Sequence, residues 1–170
     1  MENKTGWLDQ TNKRIGDIIT NLLSLELALR LLLDEWETHQ SGCNDSVNLY
    51  TIQVGERVPE NFLTNRDSLG ELIKKVNRLA EGRQLPDRLD GKIGKLRNGL
   101  AHGRLFSPDP NGPFRIVKFS TFPKNGMLQV DFSELLTPEW LDQQTERTFN
   151  EIQKALRIGR SLGLKCFPEE

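Results

Sequence analysis

The chain has 170 residues, 36% hydrophobic and 28% charged, which supplies one globular core and excludes a wholly disordered chain. A formal net charge of −1 excludes a generically basic nucleic-acid coat. No run reaches the roughly 20 apolar residues of a membrane crossing, since the longest candidate, Leu22 to Leu33, is broken by Ser24, Glu26 and Arg30.

Residues 11–37 read as a long first helix. Ile15, Ile18, Ile19, Leu22, Leu23, Leu25, Ala28, Leu29, Leu32 and Leu33 recur at helical spacing on a wide apolar face. Ser41-Gly-Cys-Asn-Asp-Ser breaks the pattern, and residues 47–54 form a weak candidate strand. A second helix spans about 68–80. Ser68 and Glu71 have the spacing of a capping box, and Leu69, Leu72, Ile73, Val76 and Leu79 form the stripe. A third helix is expected from Pro86, with Leu85, Leu89, Ile93, Leu96 and Leu100 on one narrow face and fraying from Gly99 to Gly103.

After a proline-rich loop at 107–114, two strands are expected at 115–122 and 127–132, joined by Pro123-Lys-Asn-Gly126. Leu128, Val130 and Phe132 alternate with Gln129 and Asp131, which predicts one wet face. A last helix opens at Thr137-Pro138, buries Leu141, Thr145, Thr148, Phe149, Ile152, Ala155, Leu156 and Gly159, and stops near Gly163. The fold expected for residues 1–170 is a mainly α single domain: a four-helix bundle with a β-hairpin, about 115–132, inserted between helices three and four.

Cys43 and Cys166 have no metal-ligand spacing, and His39 and His102 are the only histidines. No metal and no cofactor are expected. The opening residues lack the basic-then-apolar pattern of a signal peptide, so a reduced, cytoplasmic location is expected. Trp7, Trp36 and Trp140 are read as packing anchors, and His39 is given no role.

Charge is uneven along the chain. Residues 83–104 carry Arg83, Arg88, Lys92, Lys95, Arg97 and Arg104 against Asp87 and Asp90, a local charge of +4. Within this stretch lies Arg97-Asn98-Gly99-Leu100-Ala101-His102-Gly103. At about 100° per residue, Arg97 falls roughly 60° from the centre of the apolar stripe and His102 roughly 160° from it. His102 should therefore face solvent or a partner. Asn98, four residues earlier, shares its face. Arg97 and His102 do not converge on an ideal helix. Either the helix unwinds at Gly99 and Gly103, or a second chain completes the site; the small residues Gly94, Gly99, Ala101 and Gly103 would let another backbone approach.

Arg97-Asn98-Gly99-Leu100-Ala101-His102 resembles the Arg-x4-6-His motif of HEPN domains, with Asn after Arg and Ala before His. The resemblance covers about ten residues. It implies an α-helical bundle and a metal-independent endoribonuclease of toxin–antitoxin, abortive-infection or CRISPR-associated systems, working as a homodimer with the two motifs facing each other. It also implies an RNA substrate and an antitoxin or regulatory partner.

RNA supplies its own nucleophile, the 2′-hydroxyl. His102 would move the proton, Arg97 would stabilise charge on the phosphate, and Asn98 would hold the imidazole or contact the substrate backbone. The products would carry 2′,3′-cyclic phosphate and 5′-hydroxyl ends. Lys95 and Arg104 are candidate phosphate contacts. Some HEPN toxins carry a tyrosine two residues after the motif histidine, which a partner nucleotidyltransferase adenylylates. Arg104 stands there in this chain, and the sole tyrosine, Tyr50, is elsewhere. The alternative is a catalytically inactive module for dimerisation, RNA binding or partner binding, with Arg97 tying helices together and His102 closing a helix end. Glu26 and Arg30 are read as an intrahelical pair at the edge of the core, with a second reading in which Glu26 lines the active cleft and orients Arg97.

Overall fold

Helical sequence dominates the architecture. The structure, a computed structural model, describes residues 4–41, 51–107 and 112–168. Its elements are α1 (Lys4–Ser41), α2 (Leu69–Gly82), α3 (Ile93–His102), β1 (Arg104–Phe106), β2 (Arg115–Phe119), β3 (Val130–Leu135) and α4 (Pro138–Ser161). The strands form one antiparallel sheet in the order β1-β2-β3. Among the described residues no helix is long and apolar enough to cross a membrane. Contacts group into two compact units, Met1–Leu23 with Gly91–Asn150, and Ser24–Asp90 with Glu151–Glu170.

The first unit holds the start of α1, all of α3, the sheet and the first half of α4. Ile18, Ile93, Ile116, Leu136 and Leu141 are buried there. The Asn21 amide donates to the Thr145 carbonyl at 3.3 Å and to Thr148 Oγ1 at 3.2 Å, tying α1 to α4. Arg14 adds an ion pair to Asp142 at 3.3 Å. In the sheet, Arg104 pairs with Val117, and Ile116 with both Leu105 and Glu134. Lys124-Asn125-Gly126-Met127 closes the β2–β3 hairpin. Asn125 (φ 51°) and Gly126 (φ 75°) are both left-handed, the geometry that matches strand twist.

The second unit is organised by Arg30. Its guanidinium donates to Glu26 Oε1 at 2.9 Å, to the carbonyls of Phe62, Asn65 and Asp67, and to Asn65 Oδ1. One largely buried cation thus fixes the loop leading into α2. Ser68 caps α2 through the full capping box. Its exit is a left-handed Gln84 (φ 55°), with the Leu85 amide returning to the Ala80 carbonyl at 2.9 Å.

Several sequence expectations need correction. α1 is longer than 11–37, and Ile19 and Leu23, read on its apolar face, are exposed. α3 begins at Ile93, not at Pro86. The Asn77 side chain bonds both the amide and the carbonyl of Leu89, at 2.8 and 2.9 Å, and Glu151 takes the Asp90 amide at 2.8 Å. With these backbone groups satisfied from outside, the segment has no need of helical partners.

The inserted element is a three-stranded sheet. β3 runs to Leu135, and the register shifts between Lys118 and Phe119, opposite Asp131. That irregularity breaks the alternation read from the sequence, leaving Leu128 49% and Val130 51% exposed while Phe132 packs inward. On α4, Phe149 is exposed, and Gln144 and Glu151 are buried instead. Glu151 tolerates burial because it accepts from the Asp90 amide and from Lys154 Nζ at 2.6 Å. Gly163 (φ 69°) ends α4 where expected. The candidate strand at 47–54 lies outside the described residues up to 50, and 51–54 form no strand.

Candidate functional site

α3 stands where two internal contacts put it. A Cβ at Gly99 would sit 2.5 Å from the Phe132 ring, and one at Gly103 would strike the Gly99 carbonyl and come within 2.6 Å of Ile116. The bare backbone of α3 is therefore filled by its own sheet. The expectation that Gly99 and Gly103 make room for another chain is corrected on this point. The expectation that the helix unwinds there is corrected as well. α3 stays helical through His102, and the Gly103 amide closes on the Gly99 carbonyl at 2.8 Å. Gly103 then turns extended (φ −75°, ψ 160°), and the chain passes straight into β1.

Because the helix is intact, angles along it are meaningful. Lys95, Asn98 and His102 are all exposed and fall within an arc of about 60° on the side away from Ile93. Arg97 is half-buried, on the flank beside Ile93 and Leu100. Arg97 and His102 point about 140° apart and are about 7.5 Å apart along the axis. One chain thus brings Asn98 and Lys95 to the face of His102, but not Arg97.

Neither the Arg97 guanidinium, the His102 imidazole, the Asn98 amide nor the Lys95 ammonium makes a hydrogen bond or ion pair with any described residue. No described carboxylate claims Arg97. Arg104, two residues beyond His102, lies over the Phe119 ring at 5.8 Å. Glu26 is engaged by Arg30 in the i,i+4 pair expected from the sequence. His39 sits 3.6 Å from Glu35. Trp36 packs under the Arg83 guanidinium at 4.7 Å, and the Trp7 side chain, Cys43 and Tyr50 lie outside the described residues.

Cys166 is chemically quiet. Desolvation, reinforced by the hydrogen bond the thiol donates to the Glu35 carboxylate, pushes the Cys166 thiol up to about 12. It is fully protonated at neutral pH and a poor nucleophile. Among the described residues, no three His, Cys, Asp or Glu side chains gather in a way that would hold a metal ion.

The end of α3 therefore offers an exposed imidazole and a neighbouring amide, and on its other flank a guanidinium without a partner among the described residues. Together these are a proton carrier and a set of fixed N–H donors, a combination suited to a phosphodiester. The spacing of residues 97–102 singles out this helix end in the sequence; the Arg-x-Val-x-Phe alternation of residues 115–119, which sets Arg115 and Phe119 on one face of β2, carries a signal the sequence reading leaves unused. No family model, curated protein or solved structure matches this chain.

Proposed function

We propose that this protein is a metal-independent endoribonuclease of HEPN type, acting in a defence or toxin–antitoxin setting as a homodimer. The observation that carries the reading is the state of the motif. Arg97 and His102 flank an unbroken helix end, the imidazole is exposed, and neither side chain has a partner among the described residues. A purely structural arginine would be tied to a carboxylate or to carbonyls, as Arg30 is. Their divergence by about 140° supports a composite site, in which Arg97 of one chain and His102 of the other reach the same phosphate.

In that site His102 takes the proton from the RNA 2′-hydroxyl. The 2′-oxygen attacks phosphorus, the bond from phosphorus to O5′ breaks, and the proton returns to O5′. Arg97 holds the non-bridging oxygens as their charge grows. Asn98 steadies the imidazole or the substrate backbone, and Lys95 and Arg104 contact neighbouring phosphates.

Incubating the protein with single-stranded RNA in EDTA tests the proposal. Cleavage that disappears in His102→Ala supports it. Absence of cleavage at concentrations where the protein is dimeric would favour the second reading, a module that dimerises or binds RNA or a partner without cutting. The same divergence of Arg97 and His102 within one chain is the observation that favours that second reading if no composite site forms.

A further inference from the structure

The sheet has two unlike faces. One is closed by α3, where Ile116 packs on Gly103 and Phe132 on Gly99. On the other face, Arg104 and Phe106 of β1 alternate with Leu105, and Arg115, Val117 and Phe119 of β2 alternate with Ile116 and Lys118. The pairings confirm that these residues share one side. Arg104 lies over the Phe119 ring at 5.8 Å, and Arg115 donates to Ser133 Oγ of β3 at 3.2 Å. This face is open: Arg104 and Arg115 are exposed, Phe106 is 48% exposed, and Phe119 is half-buried.

Its chemistry is selective. Arg104, Phe106, Arg115, Val117, Phe119, Ser133 and Leu135 include two arginines, two phenylalanines and no acid. Asp131, at the irregularity in β3, is already paired with Lys118 at 3.0 Å. An acid-free sheet face on a chain of net charge −1 complements a polyanion. The exposed Phe106 ring and the half-buried Phe119 ring under Arg104 complement unstacked bases, whose π-faces stack on aromatics and arginine planes alike. A duplex hides those faces. The platform also starts beside the motif, because Arg104 is two residues from His102, within about 7.6 Å between α-carbons.

We propose that this open face of β1 and β2 is a binding platform for single-stranded RNA, which lays the strand across Phe106 and Phe119 with Arg104 and Arg115 on its phosphates. The choice of RNA rests on the ribonuclease reading; the platform does not. The test is therefore made on the full chain carrying His102→Ala, so that loss of binding and loss of cleavage are read separately. A fluorescently labelled single-stranded oligouridine is titrated at several salt concentrations and followed by anisotropy.

Phe106→Leu and Phe119→Leu keep the apolar bulk but remove the ring, and each should weaken binding about five- to 150-fold. Because Phe106 is exposed, its variant is the one least able to disturb the fold. Replacing Arg104 and Arg115 together by glutamine should flatten the salt slope by about 1.4, two phosphate contacts at about 0.7 each. An RNA duplex of the same length should bind more weakly than the single strand. Unchanged affinity in Phe106→Leu, an unchanged salt slope in the double arginine variant, or equal binding of the duplex would overturn the platform. Failure to bind any single strand at low salt would do so too, and would leave a protein partner as the occupant of this face.

Discussion

Two glycines decide how α3 is presented. Gly99 and Gly103 are small because Phe132 and Ile116 fill the space a Cβ would take. Gly99→Ala should destabilise the protein by about 1–3 kcal/mol, the usual cost of forcing a methyl into a packed contact. Urea unfolding would show this as a lower midpoint, partly recovered when Phe132 is shortened to leucine. A second residue-scale prediction concerns pH. Arg157 donates to both carboxylate oxygens of Asp87 at 2.9 Å, and these bonds hold the carboxyl below its ordinary value. A depressed carboxyl contributes stability above its unfolded value of about 3.9, and loses it as pH falls through the lower folded value. The pair is partly exposed, so the contribution is about 1 kcal/mol or less. Acid titration of the unfolding midpoint should therefore differ between the native chain and Asp87→Asn at pH 6, and the two should converge once the pH has fallen through the depressed folded value. Equal midpoints at pH 6 would show that the pair contributes nothing.

At the scale of elements, legibility followed locality. α2 was readable because Ser68, Glu71 and an apolar stripe specify it within fourteen residues, and the structure contains that capping box. Ser68→Ala should cost about 1 kcal/mol, and thermal unfolding would register it; a shift within error would mean that the box is redundant with packing. The Asn125-Gly126 turn and the Gly163 stop were legible for the same reason, since both need left-handed backbone. What escaped depends on distant partners. The start of α3 is set by Asn77, twelve residues from Leu89 along the chain. β1 is three residues long and exists through its pairing with β2. The buried stripe of α4 includes Glu151 because a backbone amide and Lys154 satisfy it. The motif itself was fully legible as spacing. That its glycines pack against the chain's own sheet was not, because nothing in Gly99 or Gly103 names Phe132 or Ile116 as the neighbour.

At the scale of the whole molecule, the basic segment 83–104 is divided between the two compact units. Arg83 and Arg88 belong to one compact unit, and Lys92, Lys95, Arg97 and Arg104 to the other. Arg83 is spent on the Trp36 ring and Arg88 on the carbonyls of Leu85 and Asp87. Lys95 shares the exposed face of His102, Arg97 points to the other flank of α3, and Arg104 lies over the Phe119 ring. The account then requires two chains per site. Specific activity should fall on dilution through the dimer's dissociation range, which sedimentation and rate measurements on the same samples would reveal. Constant specific activity in monomer would place both groups on one chain, against their angular separation. The most direct test of the central claim is the chemistry of the cut ends. Single-stranded RNA and its fully 2′-O-methylated counterpart are incubated in EDTA with the native chain and with His102→Ala, and the fragments are weighed by mass spectrometry. Attack by the 2′-hydroxyl with His102 as proton carrier leaves 2′,3′-cyclic phosphate and 5′-hydroxyl ends from unmodified RNA alone, and only with the native histidine. Fragments with 3′-hydroxyl ends, cleavage of the methylated strand, or undiminished cleavage by His102→Ala would contradict it.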